Sequence, residues 1–488
     1  MTEQTSQTLR PNPLKAVFKR IWVVIVGVVA VAIFFLWPVL SNSPVDYANI
    51  NDHFKYGSIG SEPVNGIPYW IWKVLPEIFP DKLPSKGYTS LGFIEEQGKD
   101  LPIGFSKRRV FIDRVGLNCA VCHTGTLRSS PNSKREVITT MPANVLNLEG
   151  YINFVSAVAK DERFTANRML PEIEKISGGL NPIQKLIYHF LAIPQTRDAL
   201  INQGSRLSFL NNNPDWGPGR VDTFNPYKAL QFHFPIDKLR EDELIGTADF
   251  PSIWNQKARE GMQLHWDGDN TSVDERNKSA ALGAGVTQTS IDLPRIQRVA
   301  DWLWELPAPV YPYEVNKTKA VKGEQLFQNS CASCHAFKGS QVGKVVPIQE
   351  IGTDPHRLDS YTYELLSNQN TLYASYPWRF SHFRKTNGYA NVPLDGIWLR
   401  APYLHNGSVP TLRDLLEVPE KRPKEFYRGY DVFDKEKVGF VSNVSHENDK
   451  KYFNFDTTLP GNNNSGHLYG TELSAEDKDA LVEYMKKL

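Results

Sequence analysis

Cys119-Ala-Val-Cys-His123 and Cys331-Ala-Ser-Cys-His335 contain all four cysteines of this 488-residue chain. In a helical turn, residues at positions i, i+3 and i+4 point to one side of the backbone. Two thiols on that side can form thioethers with the vinyl groups of a porphyrin, while the histidine binds its iron. The motifs therefore predict two covalently bound c-type haems, held by Cys119, Cys122 and His123 and by Cys331, Cys334 and His335.

Three other roles of cysteine fit this pattern less well. A structural zinc site takes four ligands from neighbouring pairs, and the two motifs lie far apart in the sequence. A redox dithiol would leave the adjoining histidine of both copies without a role. Disulfides are the ordinary use of cysteine in an exported protein. The same spacing twice, with no cysteine left over, nevertheless favours haem attachment.

The bulk composition is that of an ordinary globular protein with two or three domains. Apolar residues make up 41% and charged residues 22% of the chain, which is enough to bury sizeable cores. The formal net charge of +1 gives no reason to expect a nucleic acid partner. The 11 tryptophans suit packing around flat cofactors, and they suit an aromatic-rich core equally well.

An uncharged segment near the amino terminus predicts a transmembrane helix. Residues 21–40 carry no charge and are about as long as a helix that crosses a bilayer. Arg10, Lys15, Lys19 and Arg20 precede them, so the positive-inside rule places the amino terminus in the cytoplasm. A cleaved signal peptide is the alternative, but no good cleavage site follows. The predicted location is the bacterial inner membrane, with one span and the catalytic part in the periplasm.

A proline cluster over residues 306–312 divides the exported part of the chain. Residues 1–45 are the predicted cytoplasmic amino terminus and anchor. Residues 46–310 are a predicted N-terminal haem domain, and residues 311–488 are a predicted C-terminal cytochrome c domain. Few stretches alternate between polar and apolar residues, so the predicted class is mainly α with long loops.

Helical periodicity covers residues 145–158 and 180–191. A further helix, predicted over residues 318–328 with Thr318 as its cap, leads into the second motif. Ser474 caps a predicted terminal helix. The apolar face of that helix carries Ala480, Leu481, Tyr484, Met485 and Leu488.

The sixth ligand of each iron decides between electron transfer and chemistry. After the second motif the only methionine is Met485, whose place on a helix face favours core packing. His356, His382 and His446 look like turn or solvated positions, whereas His405 and His467 lie in loops that could reach the iron. Around the first motif, no residue compels ligation by its position; the options there are His189, His233, His265 and Met141. We therefore predict an open first iron that could bind dioxygen or peroxide.

Several segments resemble the bacterial di-haem cytochrome c peroxidase superfamily. Residues 396–414 (Gly-Ile-Trp-Leu-Arg-Ala-Pro-Tyr-Leu-His-Asn-Gly-Ser-Val-Pro-Thr-Leu-Arg-Asp) are similar to its second-haem domain, and Leu264-His-Trp-Asp-Gly268 is similar to its Trp-Asp-Gly motif. Three further stretches resemble the rubber-oxygenase branch of that superfamily: residues 216–224, 277–285 and 461–467. The resemblance covers most of the chain from about Phe54 onward.

This resemblance implies roles for single residues. Phe224 and Phe209 would line the pocket of the first haem, and Glu275 would move protons during O–O bond cleavage. In the oxygenase branch the second haem has two histidine ligands, which implies that His467 joins His335 on the iron. Two further roles are implied for residues near the second haem: Arg400 would contact a propionate, and His405 would lie beside the ligands.

Two positions depart from the peroxidase pattern. Thr139 stands where the peroxidases carry a histidine that caps the first iron, and Pro419 stands where they carry the methionine of the second haem. Both departures argue against a conventional peroxidase. In this superfamily an aromatic residue between the haems can relay electrons, and the tryptophans that could do so here are Trp266, Trp302 and Trp304.

Three functions remain open from the sequence. The favoured one is an oxygen-activating di-haem enzyme that acts on a small apolar, unsaturated molecule at the first haem, with the second haem as redox partner. The second is a peroxidase that reduces hydrogen peroxide with electrons from a small donor such as a cytochrome or a cupredoxin. The third is an electron-transfer cytochrome in which both irons have six ligands. The short chain and its predicted tether argue against cleavage of a polymer.

Overall fold

The computed structural model describes residues 22, 26–27 and 42–488. The predicted transmembrane helix at residues 21–40 lies almost wholly outside these residues, as does the cytoplasmic amino terminus. Within the described part, no helix has both the length and the apolar character needed to cross a bilayer. The anchor and the inner-membrane location therefore stay predictions.

Helices make up most of the regular structure and are numbered here along the chain. They are α1 (Ile50–Tyr56), α2 (Glu62–Asn65), α3 (Tyr69–Ile78), α4 (Leu148–Lys160), α5 (Ala166–Ser177), α6 (Pro182–Ile187), α7 (Ile193–Arg206), α8 (Asn225–Leu230), α9 (Val273–Gly283), α10 (Leu293–Trp304), α11 (Lys317–Ser330), α12 (Ala332–His335), α13 (Ile348–Ile351), α14 (His356–Ser360), α15 (Tyr363–Leu372), α16 (Leu412–Leu415) and α17 (Ala475–Met485). A π-helical turn, Tyr188–Ala192, joins α6 to α7.

Short strands are more numerous than the sequence predicts. They are β1 (Asn42–Pro44), β2 (Ile67–Pro68), β3 (Phe105–Val110), β4 (Ile112–Leu117), β5 (Thr124–Leu127), β6 (Glu136–Thr139), β7 (Arg220–Asp222), β8 (Thr247–Asp249), β9 (Val345–Pro347), β10 (Gly388–Ala390), β11 (Glu425–Arg428), β12 (Phe433–Asp434), β13 (Gly439–Phe440), β14 (His446–Glu447), β15 (Lys450–Lys451) and β16 (Phe453–Asp456). Strands of two to six residues are too short to show clear alternation. The class is thus mostly helical, as predicted, with several small sheets that the sequence does not predict.

The largest sheet has the order β1-β3-β4-β2, and its neighbouring strands are antiparallel. The largest hydrophobic core draws residues from this sheet and from α3, α4 and α5. Aromatic rings dominate its centre: Trp72 stacks on Tyr88 with centroids 4.5 Å apart, and Phe105 meets Tyr151 at 5.6 Å. Pairs of this kind contribute about 0.5–1.5 kcal/mol beyond the area they bury. This core forms a rigid support next to the first Cys-x-x-Cys-His motif.

A second core lies around α11 and α17. Gly323 makes their close crossing possible, since a Cβ there would lie 1.9 Å from the Ala480 carbonyl oxygen. The Ser474 cap is confirmed, because its hydroxyl accepts from the Asp477 N–H at 3.1 Å. The predicted Thr318 cap is wrong: Asn316 accepts from the Lys319 N–H instead, and the helix begins one residue earlier.

Met485 is buried in this second core, as its place on the helix face predicts. Leu127, Met141 and Trp254, which come from before the proline cluster, also pack into it. The two parts of the chain therefore share a core, and the boundary at residue 310 stays a prediction.

Candidate functional site

The first motif occupies a tight turn between two strands. β4 ends just before it, a 3-10 turn follows over Cys119–Val121, and β5 begins just after it. Asn118 holds this turn: its side-chain oxygen accepts from the Ala120 N–H at 3.0 Å, and its amide donates to the Gly57 carbonyl at 3.0 Å. The predicted turn is present, but no long helix leads into it.

The second motif lies where two helices meet. α11 ends at Ser330, and α12 carries Cys334 and His335. The backbone N–H of His335 donates to the Cys331 carbonyl at 3.0 Å. The three side chains of this motif therefore share one helical turn, as the spacing predicts.

Each motif histidine is held by a hydrogen bond to a backbone carbonyl. His123 Nδ1 lies 2.8 Å from the Pro251 oxygen, and His335 Nδ1 lies 2.8 Å from the Val392 oxygen. Because a carbonyl only accepts, we assign the proton to Nδ1, which leaves Nε2 free to bind a metal. Burial lowers the pKa of both rings, to about 4 for His123, and so keeps them in the neutral form that metal binding needs.

The four cysteines are free thiols, and three of them have little tendency to ionise. Burial raises the pKa of Cys119 to about 11, of Cys122 to about 12 and of Cys331 to about 11. Redox-active dithiols show the opposite shift. Among the described residues, no group of three or more metal-ligating side chains is found that would suit zinc. The raised pKa values weaken the dithiol alternative.

A large cavity opens beside the first motif. Its volume is about 1290 Å³, whereas common small-molecule sites have roughly 300–1,000 Å³. Cys119, Cys122 and His123 form part of its wall, and Phe224 and Trp266 lie elsewhere in that wall. The cavity thus provides space for a large flat cofactor against the motif.

Phe224 is positioned by the turn that starts α8. The Asp222 carboxylate accepts from the backbone N–H groups of Phe224 and Asn225, both at 3.0 Å. The Phe224 ring stacks on Tyr361 with centroids 4.8 Å apart, and the Arg357 guanidinium lies 4.6 Å from its centroid. Phe224 is therefore a rigid part of the cavity wall. Phe209, the other phenylalanine implied by resemblance, packs near Trp216 and does not line the cavity.

In the described part of the chain, no histidine ring faces that of His123. Of the residues that the sequence offered as ligands, Met141 is in the second core and His189 does not line the cavity. His233 and His265 do line it, but His233 Nδ1 contacts Arg206 and His265 Nδ1 lies 2.5 Å from Asp269 Oδ1. Met262 does line the cavity, but it packs on Gly343. The cavity wall that includes His123 also contains the aromatic residues Phe224 and Trp266.

His335, in contrast, faces a second histidine. Its ring centroid lies 6.1 Å from that of His467. Two imidazoles that bind one metal from opposite sides, with bonds of about 2 Å, have centroids roughly 6 Å apart. His467 Nδ1 is buried without a hydrogen-bond partner, and burial lowers the pKa of the ring to about 3. The pair fits one iron between two neutral imidazoles.

The loop that carries His467 is firmly held, although its sequence predicts flexibility. Arg422 is buried and donates to the carbonyl oxygens of Asn464, Gly466 and His467. Gly466 has a φ of +73°, and a Cβ there would lie 2.3 Å from the Gly352 carbonyl carbon. Only glycine fits this position, which explains the Ser-Gly-His order of the segment.

His405 does not approach the second motif. It is buried and stacks on Tyr389 with ring centroids 4.0 Å apart. Burial lowers the pKa of His405 to about 3, so the ring is a neutral part of the core. Of the two loop histidines left open by the sequence, the geometry favours His467 as the iron ligand.

An arginine lies near each motif histidine and contributes to the lowering of its pKa. Arg400 does so for His335, and Arg276 does so for His123. Arg400 pairs with Asp395 at 2.9 Å, yet its Nε is buried without a partner. Arg276 lines the cavity and, among the described residues, forms no ion pair with a carboxylate. Guanidinium groups in such places suit the propionates of a haem.

The sequence does not single out Arg276, because the charged run at residues 274–276 is typical of a solvated surface. One signal was available. A cation in the first turn of a helix is unfavourable for the helix dipole and therefore suggests a partner elsewhere. Arg276 stands in the first turn of α9, beside Asp274 and Glu275.

Glu275 is buried but does not line the cavity. Its carboxylate accepts from the N–H groups of Ser381 and His382 at 2.8 and 3.0 Å, from the His382 ring at 2.7 Å and from Asn270. Burial raises its pKa, but these hydrogen bonds outweigh that effect and leave the pKa below its ordinary value. In this structure the residue fixes the loop around Ser381, and its catalytic role stays a prediction.

The three tryptophans differ in their surroundings. Trp266 lines the cavity, and its indole N–H donates to the Asp249 carbonyl at 2.9 Å. The cavity wall also includes Val392, whose carbonyl holds His335. Trp302 packs on Phe54 in the first core, and neither it nor Trp304 lines the cavity. Trp266 is thus the tryptophan best placed between the two motifs.

The family models that match this chain lie in its C-terminal part. Residues 320–390 match the cytochrome c family, and residues 388–428 match a family described as RoxA-like, cytochrome c-like. A Sinorhizobium fredii protein named uncharacterized protein y4iM is 38% identical over 218 residues, which cover 40% of this chain and 49% of that protein. Another, uncharacterized protein y4iJ, is 23% identical over 84% of this chain and 85% of its own length.

This chain therefore spans about half the length of the first relative. The matched segment 320–390 includes the second motif, and the helix before it and the terminal helix have the arrangement that the sequence predicts. The C-terminal part of the chain is a cytochrome c domain, which implies a covalently bound c-type haem.

Proposed function

We propose that the chain is a membrane-anchored, periplasmic di-haem cytochrome that activates dioxygen at its N-terminal haem and uses its C-terminal haem as a redox partner. By resemblance to the rubber-oxygenase branch, its organic substrate is a small, apolar, unsaturated molecule. One observation carries the proposal. His123 faces a large cavity that includes Phe224, whereas His335 faces His467 at 6.1 Å.

The residues present fit two haems. Cys119 and Cys122 would form the thioethers of the first, His123 Nε2 would bind its iron, and Arg276 would neutralise a propionate. For the second haem, Cys331 and Cys334 would form the thioethers, and His335 and His467 would bind the iron. Arg400 would neutralise a propionate. When bound, an iron with one open position supplies dioxygen or peroxide activation, and an iron with two histidine ligands supplies electron transfer.

The protein itself contributes position and exclusion. The Pro251 carbonyl fixes the tautomer and orientation of His123. Phe224 is held between Tyr361 and Arg357, so it would present an apolar wall to a haem held by His123 and limit the access of water to it. Such a wall favours an apolar substrate and slows the loss of reactive oxygen species to water.

The peroxidase alternative shares the same attachment residues. Thr139 occupies the position of the peroxidase capping histidine, and it pairs with Thr124 in the β5–β6 sheet. A threonine cannot replace that histidine as an iron ligand. This observation favours dioxygen over peroxide as the oxidant, with a small cytochrome or cupredoxin as an electron donor in either case.

Electron paramagnetic resonance of the purified full chain tests the proposal. We expect a high-spin and a low-spin ferric signal in the oxidised protein. With an unsaturated isoprenoid hydrocarbon such as squalene as the probe, we expect dioxygen uptake that stops when the low-spin haem is lost. Two low-spin ferric signals in the oxidised protein, with no high-spin signal before or after addition of one electron, would identify a carrier. A high-spin signal that appears only on that addition would favour the peroxidase.

A further inference from the structure

The outer rim of the cavity carries an unusual amount of exposed apolar surface. Val64, Phe111 and Leu191 are each exposed to solvent and each line the cavity, so they mark its mouth. They come from three separate parts of the chain: α2, the β3–β4 turn and the π-helical turn before α7. A mouth with such a rim is a poor entrance for polar substrates and a good contact for an apolar phase.

An apolar stripe continues outward from this mouth along α6 and the π-helical turn. Ile183, Leu186 and Phe190 are 64%, 59% and 65% exposed. Their spacing of three and four residues places them on one helix face. The π-helical turn at 188–192 widens the helix here, and such turns occur frequently at functional sites. Side chains of this size and exposure, arranged in a line, suit the interfacial region of a bilayer.

The proposed anchor leads directly into a strand beside this rim. Residue 40 is the last residue of the predicted helix, and Asn42, two positions later, pairs with Val110 at the end of β3. Two residues of extended chain span at most roughly 7 Å. Phe111 follows Val110 directly, so the proposed anchor would hold the mouth of the cavity next to the bilayer.

We propose that the rim formed by Val64, Phe111, Leu191 and the stripe Ile183, Leu186 and Phe190 docks on the outer leaflet of the membrane in which the chain is anchored. The cavity then opens into the lipid, and its substrates are apolar molecules dissolved in the membrane. This inference rests on the proposed anchor and on the proposed apolar substrate. It adds that the substrate enters the cavity from the lipid phase of the membrane.

Photo-crosslinking of the full chain in phosphatidylcholine–phosphatidylglycerol vesicles tests the docking. p-Benzoylphenylalanine in place of Phe190 or Phe111 should form lipid adducts, detected by mass. The matched control position is Val310, which is exposed and apolar but does not line the cavity. We expect about tenfold fewer adducts there, as for a side chain that stays in water. Equal yields at all three positions would overturn the docking.

The entry route is tested with an isoprenoid hydrocarbon that carries a diazirine and is dissolved in the vesicles. On illumination, the probe should label peptides of the cavity wall in the wild type and in V310E. Labelling in L186E/F190E should be about tenfold lower, because the two introduced charges oppose insertion of the stripe into the membrane. Undiminished labelling in L186E/F190E would overturn entry from the lipid. Neither the lipid adducts nor the labelling of cavity peptides requires the enzyme to turn over. Retention of the wild type in membranes washed with carbonate tests the anchor separately. Docking without dioxygen uptake would thus refute the proposed function alone.

Discussion

The two Cys-x-x-Cys-His motifs have the same spacing but different surroundings. The first follows a strand and borders a cavity of about 1290 Å³. The second lies between α11 and α12, and its histidine faces His467. Both histidines nevertheless use the same device, a 2.8 Å hydrogen bond from Nδ1 to a backbone carbonyl. The motif thus specifies attachment, and the distant residues that complete each site specify what the attached group can do.

The largest expected effect is loss of one haem at a time. C119A/C122A and C331A/C334A each remove the thioether partners of one site, so the mass of each denatured double variant should show one covalent haem where the wild type shows two. C331A/C334A should also destabilise the second core, because α11 and α17 close over that site. A single covalent haem in the wild type would contradict the comparison of the two motifs, because one motif would then carry no haem.

The second effect is a change of spin state at one haem only. H467A removes the residue that faces His335, so the low-spin ferric signal should be replaced by a second high-spin signal. H405F is the control, since phenylalanine can keep the stacking on Tyr389. Electron paramagnetic resonance checks both variants. A change in H405F, with none in H467A, would exchange the roles of the two histidines.

The third effect is a shift in potential. R276Q removes a cation that has no carboxylate partner among the described residues, which disfavours the more negative, reduced haem. The reduction potential of the first haem should fall by about 60 mV, which corresponds to a tenfold change in the equilibrium constant for transfer of one electron. R400Q should lower the reduction potential of the second haem by less than this, because Asp395 already offsets the charge of Arg400. Spectroscopic titration of both variants checks the order, and a larger shift in R400Q would contradict it.

The smallest effect concerns Glu275. E275Q turns an amide toward the donors at Ser381 and His382, and it should destabilise the protein by about 1–3 kcal/mol without loss of haem. The hydrogen bonds hold the pKa of Glu275 below its unfolded value. Its contribution is therefore present above about pH 4.3 and is lost as the pH falls further.

Denaturant unfolding at neutral and acidic pH measures this contribution. The stability of E275Q should depend less on pH in the acidic range than that of the wild type. S381A, which removes only one hydroxyl donor, should cost about 0.5–1.5 kcal/mol and keep the pH dependence. A strong loss of turnover in E275Q with unchanged stability would instead give the carboxylate a direct part in the chemistry.

The sequence predicts a structural feature well when the residues that form the feature lie close together in the chain. The Ser474 cap and the burial of Met485 follow from spacing within one helix, and both are confirmed. The motif spacing predicts the helical turn around His335 in the same way. Such features need no knowledge of the remainder of the chain.

Features built by distant segments were missed or misjudged. The carbonyls of Pro251 and Val392 that hold the two histidines leave no trace in the sequence, because every residue has a carbonyl. The loop before His467 reads as flexible, and only the buried Arg422 shows why it is not. Arg276 reads as a surface charge until the fold turns it toward the cavity.

Val392 belongs to two structures at once. Its carbonyl sets the proton position on His335, and the same residue forms part of the cavity wall beside the other motif. A molecule in the cavity that shifts Val392 would change this hydrogen bond, and with it the reduction potential of a haem at the second site. By linkage, reduction of that haem would then change the affinity of the cavity for the molecule by the same factor.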